Sequence, residues 1–137
     1  MPNFVTEMKH ANKGNLRILL VDDDPNILMS LEFLMRKNGY DVLIARNGSE
    51  ALELLNENTP ALTILDIMMP DVPGYEICEY IRQSEKLQHG KVVFLSAKTK
   101  SDDIQRGYDI GADLYVTKPF STKELVKKID ELLVDQF

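Results

Sequence analysis

Carboxylates, one hydroxyl and one ammonium group stand where short apolar runs of this sequence end. They are Asp22, Asp23, Asp24, Asp66, Ser96 and Lys118. Neighbouring carboxylates repel one another, so protons or a cation must neutralise such a cluster. The sequence holds no cluster of His and Cys, which argues against zinc or copper. Carboxylate, carbonyl and water ligands instead suit Mg²⁺, with Mn²⁺ as a possible substitute.

A magnesium ion with open coordination positions would attract phosphate oxygens to this cluster. Lys118 could neutralise a phosphoryl oxygen, and Ser96 could hydrogen-bond to one. One carboxylate could itself be the nucleophile and form an aspartyl phosphate. Asp66 is the best placed, because it stands alone at the end of a central run. Each residue taken singly also fits an ordinary turn, cap or strand end, so the functional interpretation rests on the whole set.

Five short apolar runs alternate with five segments of helical periodicity. The runs predict buried strands at 17–21, 41–45, 62–66, 91–96 and 114–118. The predicted helices begin after Asp24, at Ser49, near Gly74, at Ser101 and at the capping box Ser121-x-x-Glu124. This alternation predicts an α/β domain with a parallel sheet and helices on both faces. Ligands of such sheets bind beyond the carboxyl ends of the strands, where the candidate residues stand.

Length and composition limit the remaining choices. The 137 residues suit one domain, and we expect residues 1–15 to form a flexible N-terminal extension of a domain at 16–137. The formal net charge of −6 disfavours direct nucleic-acid or anionic-membrane binding. Cys78 is the single cysteine, which excludes an internal disulfide and favours a cytoplasmic location. No apolar stretch is long enough to span a membrane.

Four stretches closely resemble the receiver domain of two-component response regulators, including its chemotaxis members. They are ILLVDDDP at 18–25, ILDIMMPDVPGYE at 64–76, FLSA at 94–97 and YVTKPF at 115–120. Each motif is weak or moderate alone, but the four together, in the family's order, are highly specific. The resemblance implies that residues 16–137 form a receiver domain. Its implied fold is a flavodoxin-like doubly wound (βα)5 sheet with strand order 2-1-3-4-5.

The resemblance also implies roles for the residues of the acidic cluster. Asp66 matches the phosphorylated aspartate, and Lys118 matches the lysine that assists its reaction. Asp22 and Asp23 match the acidic pair that holds Mg²⁺, the second directly and the first usually through water. Met68 matches the residue whose backbone carbonyl completes the metal site.

Two further residues match the conformational switch of the family. Ser96 matches the hydroxyl that contacts the phosphoryl group, and Tyr115 matches the aromatic switch position. The peptide bond before Pro119 is implied to be cis. Asp24 stands apart from this set, because it precedes Pro25 and is predicted to be the N-cap of the first helix.

The implied function is a phosphorylation-dependent signalling switch that catalyses only its own phosphorylation and dephosphorylation. A histidine kinase or a histidine phosphotransfer protein would be the donor. The surface formed by the fourth helix, fifth strand and fifth helix would then contact a downstream protein or a second copy of the chain. Met29 and Phe33, four residues apart on the outward side of the first helix, could form the kinase-docking patch. Isolated exposed apolar residues are also common without any such role.

Three alternative functions remain at this stage. Asp22-x-Asp24 superficially matches the D-x-D of haloacid-dehalogenase-like phosphohydrolases, but Asn26 stands where Thr or Val is typical and Asp66 would be unexplained. A degenerate receiver that no longer takes phosphate is disfavoured by the complete residue set. A flavodoxin-like electron carrier is disfavoured because its flavin phosphate would need donors where this first loop is acidic.

Overall fold

The computed structural model describes residues 13–137, in which five strands form one parallel sheet. The strands are β1 Arg17–Val21, β2 Asp41–Ala45, β3 Leu62–Leu65, β4 Lys91–Ser96 and β5 Leu114–Thr117. They lie in the order β2-β1-β3-β4-β5, and every neighbouring pair is parallel. This arrangement confirms the predicted fold and strand order.

Five α-helices connect or follow the strands. They are α1 Pro25–Lys37, α2 Gly48–Glu57, α3 Gly74–Gln83, α4 Ser101–Ile110 and α5 Thr122–Leu133, followed by a 3₁₀ turn at Val134–Gln136. Helix α2 begins one residue earlier than predicted, because the Asn47 side chain caps it by accepting the Glu50 N–H at 2.9 Å. Strands β3 and β5 each end one residue earlier than predicted, which leaves Asp66 and Lys118 just beyond the sheet.

The sheet separates two hydrophobic layers, and β1 contributes to both. Leu19 and Val21 pack with the buried side chains of α2 and α3. Ile18 and Leu20 point to the opposite face, as alternate strand residues do, and pack with α1 and α5. Cys78 is buried in the first layer, and this burial raises the pKa of its thiol to about 11. The side chain therefore contributes to packing as a neutral thiol. Strands covered on both faces are rigid supports for residues at their ends.

Backbone hydrogen bonds continue past β3 and β5 and fix the first residue after each of these two strands. In the register of β1 and β3, Val21 lies beside Leu65. The Asp66 N–H then donates to the Val21 carbonyl at 2.9 Å. At the other side of the sheet, the Lys118 N–H donates to the Ser96 carbonyl at 2.8 Å. The ends of β3 and β5 therefore fix the backbone positions of the candidate residues Asp66 and Lys118.

The predicted extension at 1–15 falls largely outside the residues that the structure describes. Of its last three residues, Lys13 is buried, and its Nζ lies 3.1 Å from Asp130 Oδ1 on α5. The domain boundary at residue 16 stays a prediction. No helix within 13–137 is both long enough and apolar enough to cross a membrane.

Replacing the cap of α1 should cost stability without removing metal binding. Asp24 has extended backbone, and its Oδ1 accepts the Asn26 N–H at 2.9 Å, which confirms the predicted N-cap. Asp24→Ala should lower the free energy of unfolding by roughly 1 kcal/mol, whereas Asp24→Asn, which can still cap, should change it little. Urea denaturation measures both changes. Loss of Mg²⁺ binding in Asp24→Ala would contradict this role.

Candidate functional site

Three carboxylates meet at the carboxyl ends of β1 and β3. Asp22, Asp23 and Asp66 each offer an oxygen, and these oxygens all lie within 4.8 Å of one another. Asp22 and Asp66 are only 2% and 7% exposed, while Asp23 is open to solvent. The site is therefore lined by two buried carboxylates and is accessible to solvent on the side of Asp23. Hard oxygen donors at this spacing fit one small divalent cation that keeps part of its hydration shell.

Lys118, just beyond β5, provides the positive charge of the site. Its Nζ lies 2.9 Å from Asp22 Oδ2 and 4.0 Å from Asp66 Oδ2. Three carboxylates and one ammonium leave two negative charges in excess, which one divalent cation would balance. The peptide bond between Lys118 and Pro119 is cis, as the resemblance implied.

Asp66 has a pKa shifted from its ordinary value by its position in the cluster. Burial, and next the negative charge of Asp22, raise the pKa of the Asp66 carboxyl to about 6. The Lys118 ammonium opposes this shift but does not cancel it. In the metal-free protein the carboxyl is therefore half protonated at about pH 6, well above the pH at which an ordinary aspartate titrates. A bound cation would favour the ionised form, which is the nucleophilic one.

The three consecutive aspartates have separate environments. Asp22 is held at both oxygens, since Oδ1 accepts the Asp24 N–H at 2.9 Å and Oδ2 accepts a hydrogen bond from Lys118. Asp23 projects to the open side of the site. The Asp24 carboxylate turns toward the N-terminus of α1 instead. Among residues 13–137, the carboxylate cluster thus includes the first two aspartates but not the third.

The two predicted switch residues are both bound to the backbone of Lys98. Ser96 is fully buried at the end of β4, and its Oγ accepts the Lys98 N–H at 3.1 Å. Tyr115 is buried on β5, and its hydroxyl donates to the Lys98 carbonyl at 2.8 Å. One residue of the β4–α4 loop therefore links the hydroxyl near the acidic site to the aromatic ring near α4.

Tyr115 occupies an inward position between the sheet and α4. Its ring centroid lies 6.0 Å from that of Phe94. A Cβ at Gly107 of α4 would stand 2.9 Å from the Tyr115 ring, so the glycine leaves room for the ring. The ring therefore packs inward, against Phe94 and the α4 backbone at Gly107.

The loop from β3 to α3 carries Met68 past the acidic cluster. The Met68 N–H lies 3.4 Å from Asp66 Oδ1, and its side chain is 61% exposed. The loop returns over the strand end at Gly74, where a side chain would collide with the Asp66 carbonyl. The absence of a side chain at Gly74 therefore allows the start of α3 to pack directly against the backbone of Asp66.

Sequence reasoning missed three residues that shape this edge of the sheet. Asp71 and Gly48 join the β3–α3 loop to α2, and Gly107 accommodates Tyr115. Asp71 and its neighbouring prolines and glycine lie within a stretch that resembles the family. That stretch shows the presence of a motif, but it does not reveal which distant segment the motif touches.

Comparisons with known proteins identify the architecture. The family model described as response regulator receiver domain matches residues 18–130. The Francisella response regulator 1452 receiver domain is 32% identical, with a TM-score of 0.83 over 90% of this chain and 100% of that one. The chemotaxis response regulator CheY4 of Vibrio cholerae is 27% identical, with a TM-score of 0.81 over 86% and 98%.

A third relative was solved with ligands at its own site. The response regulator TrrA from Thermotoga maritima, in complex with Mg²⁺-BeF, is 37% identical, with a TM-score of 0.76. The match covers 86% of this chain and 99% of that one. These findings do not favour the haloacid-dehalogenase alternative. The capping role of Asp24 also removes the second aspartate that its D-x-D motif requires.

The Asp66 carboxyl of the metal-free protein should titrate with a midpoint near pH 6, as burial and Asp22 both disfavour its charge. Carbon-detected NMR of the side-chain carboxyl measures this midpoint. Asp22→Asn should lower it more than the control Asp23→Asn, because Asp22 is the larger contributor. A midpoint of about 4, the ordinary value, would contradict the burial and repulsion.

The same shift has a defined effect on stability. The folded protein binds the Asp66 proton more tightly than the unfolded chain, whose aspartate titrates at about 3.9. The stabilisation is therefore fully present below about pH 4 and is lost as pH rises through the folded pKa of about 6. Without Mg²⁺, Asp66→Asn should consequently gain stability relative to wild type across that window.

Proposed function

The chain belongs to the family of response regulator receiver domains, and from this we propose that it is a phosphorylation-dependent switch with Asp66 as its phosphoacceptor. The observation that carries the proposal is the position of the Asp66 carboxylate. It lies beside two further carboxylates, with the Lys118 ammonium 4.0 Å away. A carboxylate nucleophile needs this combination of metal ligands and positive charge to approach an anionic phosphoryl group.

The proposed reaction transfers a phosphoryl group from a phosphohistidine to Asp66. A bond forms between an Asp66 carboxylate oxygen and phosphorus, while the bond between phosphorus and the histidine nitrogen breaks. Lys118 neutralises charge on the transferred oxygens. Asp22, Asp23, Asp66 and the Met68 carbonyl would hold Mg²⁺, which, when bound, screens the charge between the phosphoryl group and the carboxylates. The chain is therefore a switch that acts on itself rather than an enzyme with turnover of separate substrates.

The signal would leave the site through the Lys98 backbone. A phosphoryl oxygen on Asp66 would accept a hydrogen bond from the Ser96 hydroxyl and draw it from its present position, where Ser96 Oγ accepts the Lys98 N–H. Movement of Ser96 alters the same residue whose carbonyl holds the Tyr115 hydroxyl. The α4–β5–α5 surface would then change its distribution between two arrangements, and a downstream protein or a second copy would bind one of them.

The donor partner is proposed to be a histidine kinase or a histidine phosphotransfer protein in the cytoplasm. Met29 and Phe33 are each 68% exposed on α1, whose N-cap follows the acidic pair directly. A partner bound there would have its phosphohistidine near the open side of the carboxylate cluster. The net charge of −6 supports a protein partner over nucleic acid or an anionic membrane.

Incubation with Mg²⁺ and a small phosphodonor should add one phosphoryl group to the wild-type chain. Intact-mass spectrometry measures the gain. Asp66→Ala should show none, because it lacks the nucleophile, whereas the control Asp24→Asn should be labelled like wild type. No gain in wild type, or an undiminished gain in Asp66→Ala, would contradict the proposed phosphoacceptor.

The combined substitution Met29→Lys and Phe33→Lys should slow transfer from the cognate kinase by roughly tenfold or more, as loss of buried apolar anchors does at interfaces. Labelling by a small phosphodonor should remain at the wild-type rate. A matched control, Tyr80→Lys with Val134→Lys, replaces two other exposed apolar residues and should leave both rates unchanged. Equal loss in the kinase and phosphodonor assays would refute docking on α1.

A further inference from the structure

The backbone carbonyl of Met68 needs a support that its own contacts do not provide. Its N–H makes one long contact of 3.4 Å with Asp66, and its side chain is largely exposed. The residue lies in the β3–α3 loop, residues 67–73, between the phosphoacceptor and α3. A carbonyl in a loop binds a metal well only if the surrounding structure fixes its direction.

Asp71, three residues after Met68, attaches this loop to the N-terminus of α2. Its Oδ1 accepts the Gly48 N–H at 3.0 Å, and its Oδ2 accepts both the Ser49 N–H at 2.9 Å and the Ser49 hydroxyl at 2.8 Å. The positive end of the α2 dipole favours the carboxylate there. These backbone and hydroxyl hydrogen bonds hold the pKa of Asp71 far below its usual range. The carboxylate that makes the attachment is therefore ionised at neutral pH.

Helix α2 also has a cap from its own segment of the chain. Asn47 already caps that helix, since its side chain accepts the Glu50 N–H at 2.9 Å. Asp71 comes from a segment 22 residues further along the chain than Ser49. These hydrogen bonds therefore hold the β3–α3 loop and the N-terminus of α2 in a fixed position relative to each other.

Close packing holds the same loop at the next residue, independently of charge. A Cβ at Gly48 would stand 2.9 Å from the Val72 carbonyl oxygen and would also overlap the Val72 side chain. At the far end of the loop, the Gly74 N–H donates to the Ile67 carbonyl at 2.9 Å. Met69 is buried in the core between these two fixed points. Little freedom remains for the Met68 carbonyl while both attachments are in place.

We propose that Asp71 is a positioning residue for the magnesium site: its hydrogen bonds to Gly48 and Ser49 orient the Met68 carbonyl toward the carboxylate cluster. The inference rests on the proposed function and adds a residue to it that touches neither the metal nor the phosphoryl group. Substitution of such outer partners weakens metal binding by about tenfold or more.

Calorimetric titration with Mg²⁺ tests this role at a temperature where circular dichroism shows every variant to be folded. Asp71→Ala should raise the Mg²⁺ dissociation constant by about tenfold. Gly48→Ala, which changes no charge, should raise it as well, because its methyl group displaces Val72. Ser49→Ala removes one of the three hydrogen bonds and should have a smaller effect in the same direction.

The control is Asp113→Ala at the opposite edge of the sheet. Asp113 also accepts a backbone N–H, from Val92 at 2.8 Å, so its loss is destabilising but should leave Mg²⁺ affinity unchanged. Wild-type affinity in Asp71→Ala, or an equal loss in Asp113→Ala, would overturn the positioning role while the proposed function stands. Failure of the wild-type chain to bind Mg²⁺ would overturn both.

Discussion

Repulsion among the carboxylates of Asp22, Asp23 and Asp66 is the constraint on which the rest of this structure depends. Their oxygens lie within 4.8 Å of one another at the edge of a buried sheet. Such a cluster is unfavourable unless protons, a lysine and a cation share the task of neutralising it. Burial, and next the negative charge of Asp22, raise the pKa of Asp66, and the Lys118 ammonium lies 2.9 Å from Asp22 as a partial counter-charge. A site that needs a cation and leaves one side open is also a site that can receive a phosphoryl group.

The sheet makes this unfavourable arrangement possible. Backbone hydrogen bonds hold Asp66 to β1 and Lys118 to β4, so the backbone positions that carry these charged side chains are fixed. The hydrophobic layers on the two faces supply the stability that the charged edge lacks. The proposed switch residues are held by backbone groups in a similar way. There the Lys98 backbone connects Ser96 with Tyr115, and the Gly107 position leaves the space that the ring occupies.

Much of this could be predicted from the sequence, because strand ends and helix caps leave local signals. The apolar runs located all five strands to within one residue, and the proline after Asp24 predicted the N-cap. The assignment of Asp22 and Asp23 to the metal came from the family resemblance and stays a prediction. The contacts of Asp71 could not be predicted in this way. Its partners lie 22 and 23 residues earlier, and nothing in its local pattern specifies which helix it meets. The inward position of Tyr115 was equally inaccessible, since it depends on packing between α4 and the sheet.

A crystal structure with Mg²⁺ and beryllofluoride, which mimics a phosphoryl group, tests the central claim most directly. We expect beryllium bound to an Asp66 oxygen, with Lys118 and Ser96 contacting its fluorines. Mg²⁺ should lie among Asp22, Asp23 and the Met68 carbonyl. Beryllofluoride on another residue, or a metal ion held away from this cluster, would contradict the claim that these strand ends form one phosphoacceptor site.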